Sequence, residues 1–193
     1  MRKTILGALL LAAVFIGCSD DEETTITDFG EALYFPDEAF KAALVENPAI
    51  NTNGNTEIEE LEAENFTGSI VAPSKGIQDA TGIAYFVNAT GISLYNNNLT
   101  TIDVSNNTKV TQLLLEQNSL TSIDVSNLTE LTDFKCHSNA LTEANLANGN
   151  NANMTRMEIQ TNIYLPCIKV DALPVPTTGW NKDSDATYGT DCF

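Results

Sequence analysis

Basic side chains are scarce in this chain. It carries 9 lysines and arginines against 26 aspartates and glutamates, for a formal net charge of −17 at pH 7. Nucleic acid requires a basic footprint on the protein, so it is excluded as a partner, as is charge-driven binding to anionic lipid. Histidine occurs once, as His137, beside Cys136. In an extended segment adjacent side chains point to opposite faces, so these two can neither share a metal nor act as a nucleophile and base. A glycine-rich phosphate loop, an HExxH helix and a credible Ser-His-Asp set are missing too. Carboxylates abound, but none sits where the sequence shows a cause for a shifted pKa. The chain is therefore read as non-catalytic. Long hydrophobic runs are also lacking: residues 4–16 are apolar but too short for a permanent membrane span. With Arg2 and Lys3 ahead of it, the run reads as a secretory signal.

What is present is repetition. "NNLTTIDVSNN" starts at Asn97 and "NSLTSIDVSNL" at Asn118. Aligned on their asparagines, Asn97, Asn118, Asn139 and Asn162 follow one another at steps of 21, 21 and 23. Apolar pairs precede them: Ile92 and Leu94, Leu113 and Leu115, Phe134 and Cys136, Met157 and Ile159. Two residues after each comes Leu99, Leu120, Leu141 or Tyr164. A degenerate copy stands ahead, with Ile70, Ala72 and Ile77 at the apolar positions and Lys75 at the asparagine position. An apolar alternation of period two puts both side chains on one face of a short strand. A single coil of this length cannot bury that face alone, so coils must stack. Each asparagine amide can satisfy backbone groups where the strand bends away, and the four are predicted to form an interior ladder. The return halves (Ile102 and Val104, Ile123 and Val125, Ala144 and Leu146) lie among Asp, Ser, Asn and Thr. Such residues suit turns, and an irregular convex side is expected.

The pattern resembles the leucine-rich repeat, LxxLxLxxNxL, with copies beginning at Ala89, Val110, Leu131 and Met154, over roughly half the chain. Residues 76–86 resemble the entry segment of internalin-like surface proteins. Residues 15–18, Phe-Ile-Gly-Cys, resemble the lipobox of bacterial lipoproteins, which implies cleavage before Cys18 and lipid on its sulfur. The acidic run 19–23 looks like an export tag to the outer face of Gram-negative cells. Residues 165–171 and 179–183 look like the closing segment of short repeat lipoproteins, with Trp180 covering the last strand. Outside the inner membrane thiols can oxidise, so Cys167 and Cys192 are expected to pair, the alternative being free thiols. Together these resemblances imply an α/β solenoid, a short leucine-rich repeat stack with parallel β-strands on the concave side, an N-terminal helical cap and a C-terminal cap closed by the disulfide. The division is a signal peptide over 1–17, an acidic disordered tether over 18–33, the helical cap over 34–68, repeats over 69–164 and the C-terminal cap over 165–193.

Within the N-terminal cap, residues 35–45 read as a helix with Ala39, Phe40, Ala43 and Leu44 on one face. Residues 51–62 resemble an EF-hand or dockerin loop. The resemblance implies calcium ligands at Asn51, Asn53, Asn55, Glu57 and Glu62, although asparagine replaces aspartate at 51 and 55 and Thr56 stands where the glycine belongs. The other reading is a metal-free loop joining two capping helices. No other cofactor is expected.

Outward strand positions are the candidate site: Gly91, Ser93 and Tyr95; Gln112, Leu114 and Glu116; Asp133, Lys135 and His137; Arg156, Glu158 and Gln160. Of these, Tyr95, Leu114, Glu116, Lys135, His137, Arg156 and Gln160 form a mixed patch with the residue types of binding anchors. Cys136, facing inward, is read as a small buried hydrophobe. The resemblance implies an outer-membrane lipoprotein on the cell surface that binds a protein or peptide, in adhesion or as a scaffold. The alternative is a glycan-binding accessory lipoprotein of a nutrient-uptake system, with Tyr95 stacking on a sugar.

Overall fold

The computed structural model describes residues 29–176 and 178–193. The expected signal peptide, the expected lipid site at Cys18 and the expected tether as far as residue 28 lie outside the described residues. The rest is a parallel β-solenoid of about six coils behind two short helices, α1 (Glu38–Val45) and α2 (Glu60–Asn65).

Ten strands follow: β1 (Ser69–Val71), β2 (Gly91–Ser93), β3 (Gln112–Leu114), β4 (Ser122–Asp124), β5 (Asp133–Lys135), β6 (Glu143–Asn145), β7 (Arg156–Glu158), β8 (Cys167–Lys169), β9 (Trp180–Asn181) and β10 (Thr187–Gly189). They make two all-parallel sheets, ordered β1-β2-β3-β5-β7-β9 and β10-β8-β6-β4. In the first sheet Ile70, Ile92, Leu113, Phe134, Met157 and Trp180 share one rung line. In the second, Ile123, Ala144, Ile168 and Tyr188 do. The inward side chains of both sheets meet in one apolar core.

The second sheet corrects two expectations. The return side is a regular ladder over four coils, not irregular, and among the described residues the repeats contain strands and single 3-10 turns but no α-helix. Turn-forming side chains act one step later than expected. Asp103 Oδ1 accepts from Ser105 N at 2.9 Å, Asp124 Oδ1 from Ser126 N at 2.8 Å and Asn145 Oδ1 from Ala147 N at 3.2 Å. These turns close the corner and leave the residues before them extended and free to pair.

Each ladder asparagine joins its own coil to the one before. Asn118 Oδ1 accepts from Leu99 N at 3.0 Å while Nδ2 donates to Leu94 O at 3.0 Å and Leu115 O at 3.1 Å. Asn139 does the same with Leu120 N, Leu115 O and Cys136 O, and Asn162 with Leu141 N, Cys136 O and Ile159 O. Asn97 Oδ1 takes Lys75 N and Ile77 N, and its Nδ2 reaches Ala72 O and Leu94 O. Asn97 and Asn162 are buried, and Asn118 and Asn139 half-buried. A second ladder, built from hydroxyls, runs beside the first sheet. Thr90, Thr111, Thr132 and Thr155 each donate Oγ1 to the carbonyl of the threonine one coil back, at 3.0–3.2 Å.

Immediately before Lys75 and before each of the four ladder asparagines the backbone turns left-handed. Ser74, Asn96, Gln117, Ser138 and Thr161 have φ of 58°, 55°, 58°, 58° and 62°. A β-branched residue is the least suited to that conformation, and the Thr161 side chain is exposed. Thr161→Gly is therefore expected to stabilise the chain by about 1 kcal/mol, read as a higher urea midpoint.

At the N-terminal end, the carboxylate of Asp37 joins helix to solenoid. Oδ1 caps α1, accepting from Ala39 N at 2.9 Å and Phe40 N at 3.0 Å, while Oδ2 accepts from Gln78 N at 2.8 Å and Asp79 N at 3.1 Å. The helix thus starts at Glu38, three residues later than the sequence suggests, with Phe35 packed edge-on against Phe40 and Tyr85. Partial burial pushes the Asp37 carboxyl up, but the four backbone N–H groups outweigh it and hold it below the usual carboxylate range. A group depressed in the folded state stabilises above its unfolded pKa, about 3.9, and loses that contribution as pH falls through the folded value. Stability should therefore decline below about pH 4, and Asp37→Asn should flatten part of that acid limb in urea titrations across pH.

The C-terminal segment is the last coil of the solenoid as well as its closure. Trp180 lies within β9, paired to β7, and packs edge-on against Tyr188 at 5.7 Å. Cys167 and Cys192 form a disulfide. Asp183 occupies the place of a fifth ladder residue, its carboxylate accepting from Thr161 N and Asn162 N at 2.8 Å each. Lys182 turns its ammonium back on the end of the stack, donating to Asp183 O at 3.1 Å and Ala186 O at 2.6 Å. One core position differs from the sequence reading: Tyr164 is 67% exposed and Leu165 is buried in its place. The shift arises after Asn162, which itself keeps its place in the ladder.

Candidate binding face

Strand alternation sets the site. Along β3, β5 and β7 the central residue is buried and its neighbours half-buried, so every second side chain stands on the outer surface of the six-stranded sheet. The in-register coils arrange these in rows: Gln112, Asp133 and Arg156; Ser93, Leu114, Lys135 and Glu158; and, just past the strand ends, Tyr95, Glu116, His137 and Gln160. All seven candidate binding residues therefore lie on one face.

Much of the charge on this face is internally paired. Arg156 holds Asp133 through two guanidinium nitrogens, Nε at 2.7 Å from Oδ1 and Nη2 on Oδ2, and Gln112 Nε2 donates to the same carboxylate at 2.8 Å. Burial pushes the Asp133 carboxyl up, yet the bonds from Arg156 and Gln112 hold it below the ordinary carboxylate range. Lys135 Nζ lies 3.7 Å from Glu158 Oε2, and His137 Nε2 lies 4.0 Å from that oxygen while its Nδ1 meets Ser138 Oγ at 3.1 Å. Two acceptors on the face are left over: Glu116 Oε2 and Gln160 Oε1 are buried without a hydrogen-bond partner. Arg156, read from the sequence as an anchor, is committed to Asp133, because pairing across rungs is invisible without the register. The hydroxyl ladder has a signal in the sequence as well, because Thr90, Thr111, Thr132 and Thr155 recur at the same steps as the asparagines.

Cys136 is buried behind this sheet, and desolvation, with the charge of Glu116 adding to it, pushes its thiol far up. It is a packing group. In the loop over 51–62, the candidate ligands are engaged by protein groups, most of them outside the ligand set. Asn51 Oδ1 accepts from Gly54 N, Asn53 and Asn55 direct their amide nitrogens onto Glu59 at 3.0 and 2.6 Å, and Glu57 pairs with Lys41 at 2.8 Å. Glu62 Oε1 accepts from Thr52 N at 2.7 Å and Asn53 N at 3.2 Å, and Oε2 from Glu59 N at 3.2 Å. Among the described residues no group of three or more His, Cys, Asp or Glu side chains converges on a common point.

No family model and no curated protein matches the chain. Solved structures do. The functional domain of InlJ from Listeria monocytogenes, described as including a cysteine ladder, superposes with a TM-score of 0.54 at 27% identity, over 70% of this chain and 36% of that one. An internalin, InlF, from Listeria monocytogenes strain 4b F2365 gives 0.53 at 22% identity, over 70% of this chain and 43% of its own. The chain has an internalin-like leucine-rich repeat fold. It spans well under half the length of these internalin structures, at 36% and 43%. Against the cysteine ladder of InlJ, this internalin-like stack has one free cysteine among its described residues, Cys136, on a line with Leu94, Leu115 and Ile159.

Proposed function

We propose that this chain is a non-catalytic, lipid-anchored surface protein that binds a protein or peptide with the outer face of its six-stranded sheet. The observation that carries the reading is the continuous patch of Tyr95, Leu114, Glu116, Lys135, His137 and Gln160 on a rigid, hydrogen-bonded scaffold, in a fold shared with internalins. The lipid on Cys18 and display on the outer membrane of a Gram-negative cell rest on the lipobox and the acidic run that follows it. Among the described residues no helix is long and apolar enough to cross a membrane. The face is small. Strands ~4.8 Å apart with three outward residues each give an area on the order of 300 Å², against ~800 Å² per partner in a standard interface. Such a face suits a peptide or a single loop of a larger protein.

The test is capture of partners from outer-membrane extract by the full chain, with Leu114→Glu and Tyr95→Ala as face variants and Ile163→Glu, at an exposed position off the sheet, as control. A partner bound by wild type and control should be retained about tenfold less by the face variants. Equal retention by all four proteins overturns the site. Saturable binding of a soluble glycan, lost with Tyr95→Ala alone, would instead favour the nutrient-uptake reading.

A further inference from the structure

One strand of the candidate face departs from the alternation of its neighbours. All three residues of β2 are buried, whereas β3, β5 and β7 hold their outer residues half-exposed. The cause is size. Gly91 has no side chain, and Ser69 leans over it so closely that a Cβ there would lie 2.3 Å from Ser69 Oγ. Ser93, next in the outward row, is 8% exposed. On either side the row rises to larger apolar groups, Val71 of β1, 58% exposed, and Leu114 of β3. Walls two strands apart stand about 10 Å from each other, the width of one inserted side chain. The result is a shallow apolar socket floored by Ser93, with Tyr95 at its end.

The surroundings of the socket call for hydrogen-bond donors and positive charge. Glu116, one strand from Tyr95, forms no ion pair with any described residue, and its Oε2 is buried without a partner, as is Gln160 Oε1 two strands further on. The cations of the face are already engaged, Lys135 with Glu158 and Arg156 with Asp133. Glu116 lies within Coulombic reach of Arg156, but that guanidinium is bound to Asp133, and an acidic ligand would meet a chain whose net charge is −17.

We propose that the β2 socket takes an aliphatic or aromatic side chain of a protein partner, and that a lysine or arginine beside it in that partner pairs with Glu116. This rests on the binding face proposed above and specifies the chemistry of what that face accepts. The apolar group supplies contact area in a site that excludes water, and the cation supplies orientation and a salt-dependent on-rate.

The probe is a library of phage-displayed random peptides selected on the immobilised full chain. Recovered sequences should place Lys or Arg next to a large apolar residue. Their affinity should fall about tenfold with Ser93→Phe, which fills the socket. Val71→Asp, on an exposed side chain whose change leaves the core intact, should have a similar effect. Glu116→Gln should weaken them by about fivefold and remove most of the dependence on salt. Peptides sensitive to Leu114→Glu but indifferent to both socket variants, or enriched in acidic residues, would overturn the socket and leave the binding face standing. Recovery of no peptide sensitive to any face variant would overturn both.

Discussion

Asn162→Ala is expected to lower the stability of the chain by about 3–5 kcal/mol, the largest effect of any single ladder substitution. The side chain is 0% exposed, and its amide serves three backbone groups in two coils: Leu141 N at 3.1 Å, Cys136 O at 3.0 Å and Ile159 O at 2.7 Å. Each buried group left without a partner costs about 1–3 kcal/mol, and alanine can serve none of them. The core here is closed by Leu165 and Ile159, so water has no easy route to replace the amide. Asn118, half-buried, bonds the equivalent groups two coils earlier. Solvent can partly substitute there, and Asn118→Ala should lose about half as much. Urea denaturation followed by circular dichroism checks both values, and equal losses at the two positions would show that burial does not set the cost.

Gly179→Ala should destabilise by about 3 kcal/mol through a different mechanism. Gly179 has φ of 78°, and a Cβ at this position would lie 2.3 Å from the carbonyl oxygen of Thr155. Left-handed backbone costs a non-glycine residue roughly 1–2 kcal/mol, and the collision forces the two strands apart as well. Gly179 O is also the acceptor for Met157 N at 2.8 Å, the bond that begins the pairing of β9 with β7. Detachment should be local, with the amide protons of Met157 and Ile159 exchanging faster while those of Leu113 keep their protection. The Cys167–Cys192 disulfide spans this segment with a sequence separation of 25. A loop of that size is worth about 3 kcal/mol through the unfolded state, so reducing agent should add to the effect of the substitution.

The asparagines and leucines reveal the solenoid because each coil repeats the same demand at the same step, and parallel stacking in register is the arrangement that meets it for Asn97, Asn118, Asn139 and Asn162 together. Lateral information is harder to read. Alignment of the copies sets Asp133 and Arg156 at the same position of neighbouring coils, but which side chains of such a row bond each other depends on their rotamers, and the sequence does not show those. The exchange of Tyr164 for Leu165 at the inward position follows Asn162, where the chain leaves the repeat for the C-terminal segment. The return strands were obscured because Asp, Ser and Asn dominate their composition, while the pairing belongs to the few residues in front of those turns. Residues 165–193 carry no leucine-and-asparagine phrase. In them Trp180 and Asp183 take over the roles of the strand apolar group and the ladder amide, and a last coil looks like a separate lid. The outward face was legible in full from alternation alone, but its β2 depression follows from the small size of Gly91 and Ser93 relative to Val71 and Leu114.

A structure made by adding one identical turn after another contains no internal reason to stop, and the free rim of its final turn is a template on which a neighbouring molecule could continue. Lys182 guards that rim with a charge. Its ammonium is tied to Asp183 O and Ala186 O in the turn between β9 and β10, and a cation held at the rim places a desolvation penalty on any strand that approaches. Neighbouring copies of the stack can then remain individual units instead of joining into filaments.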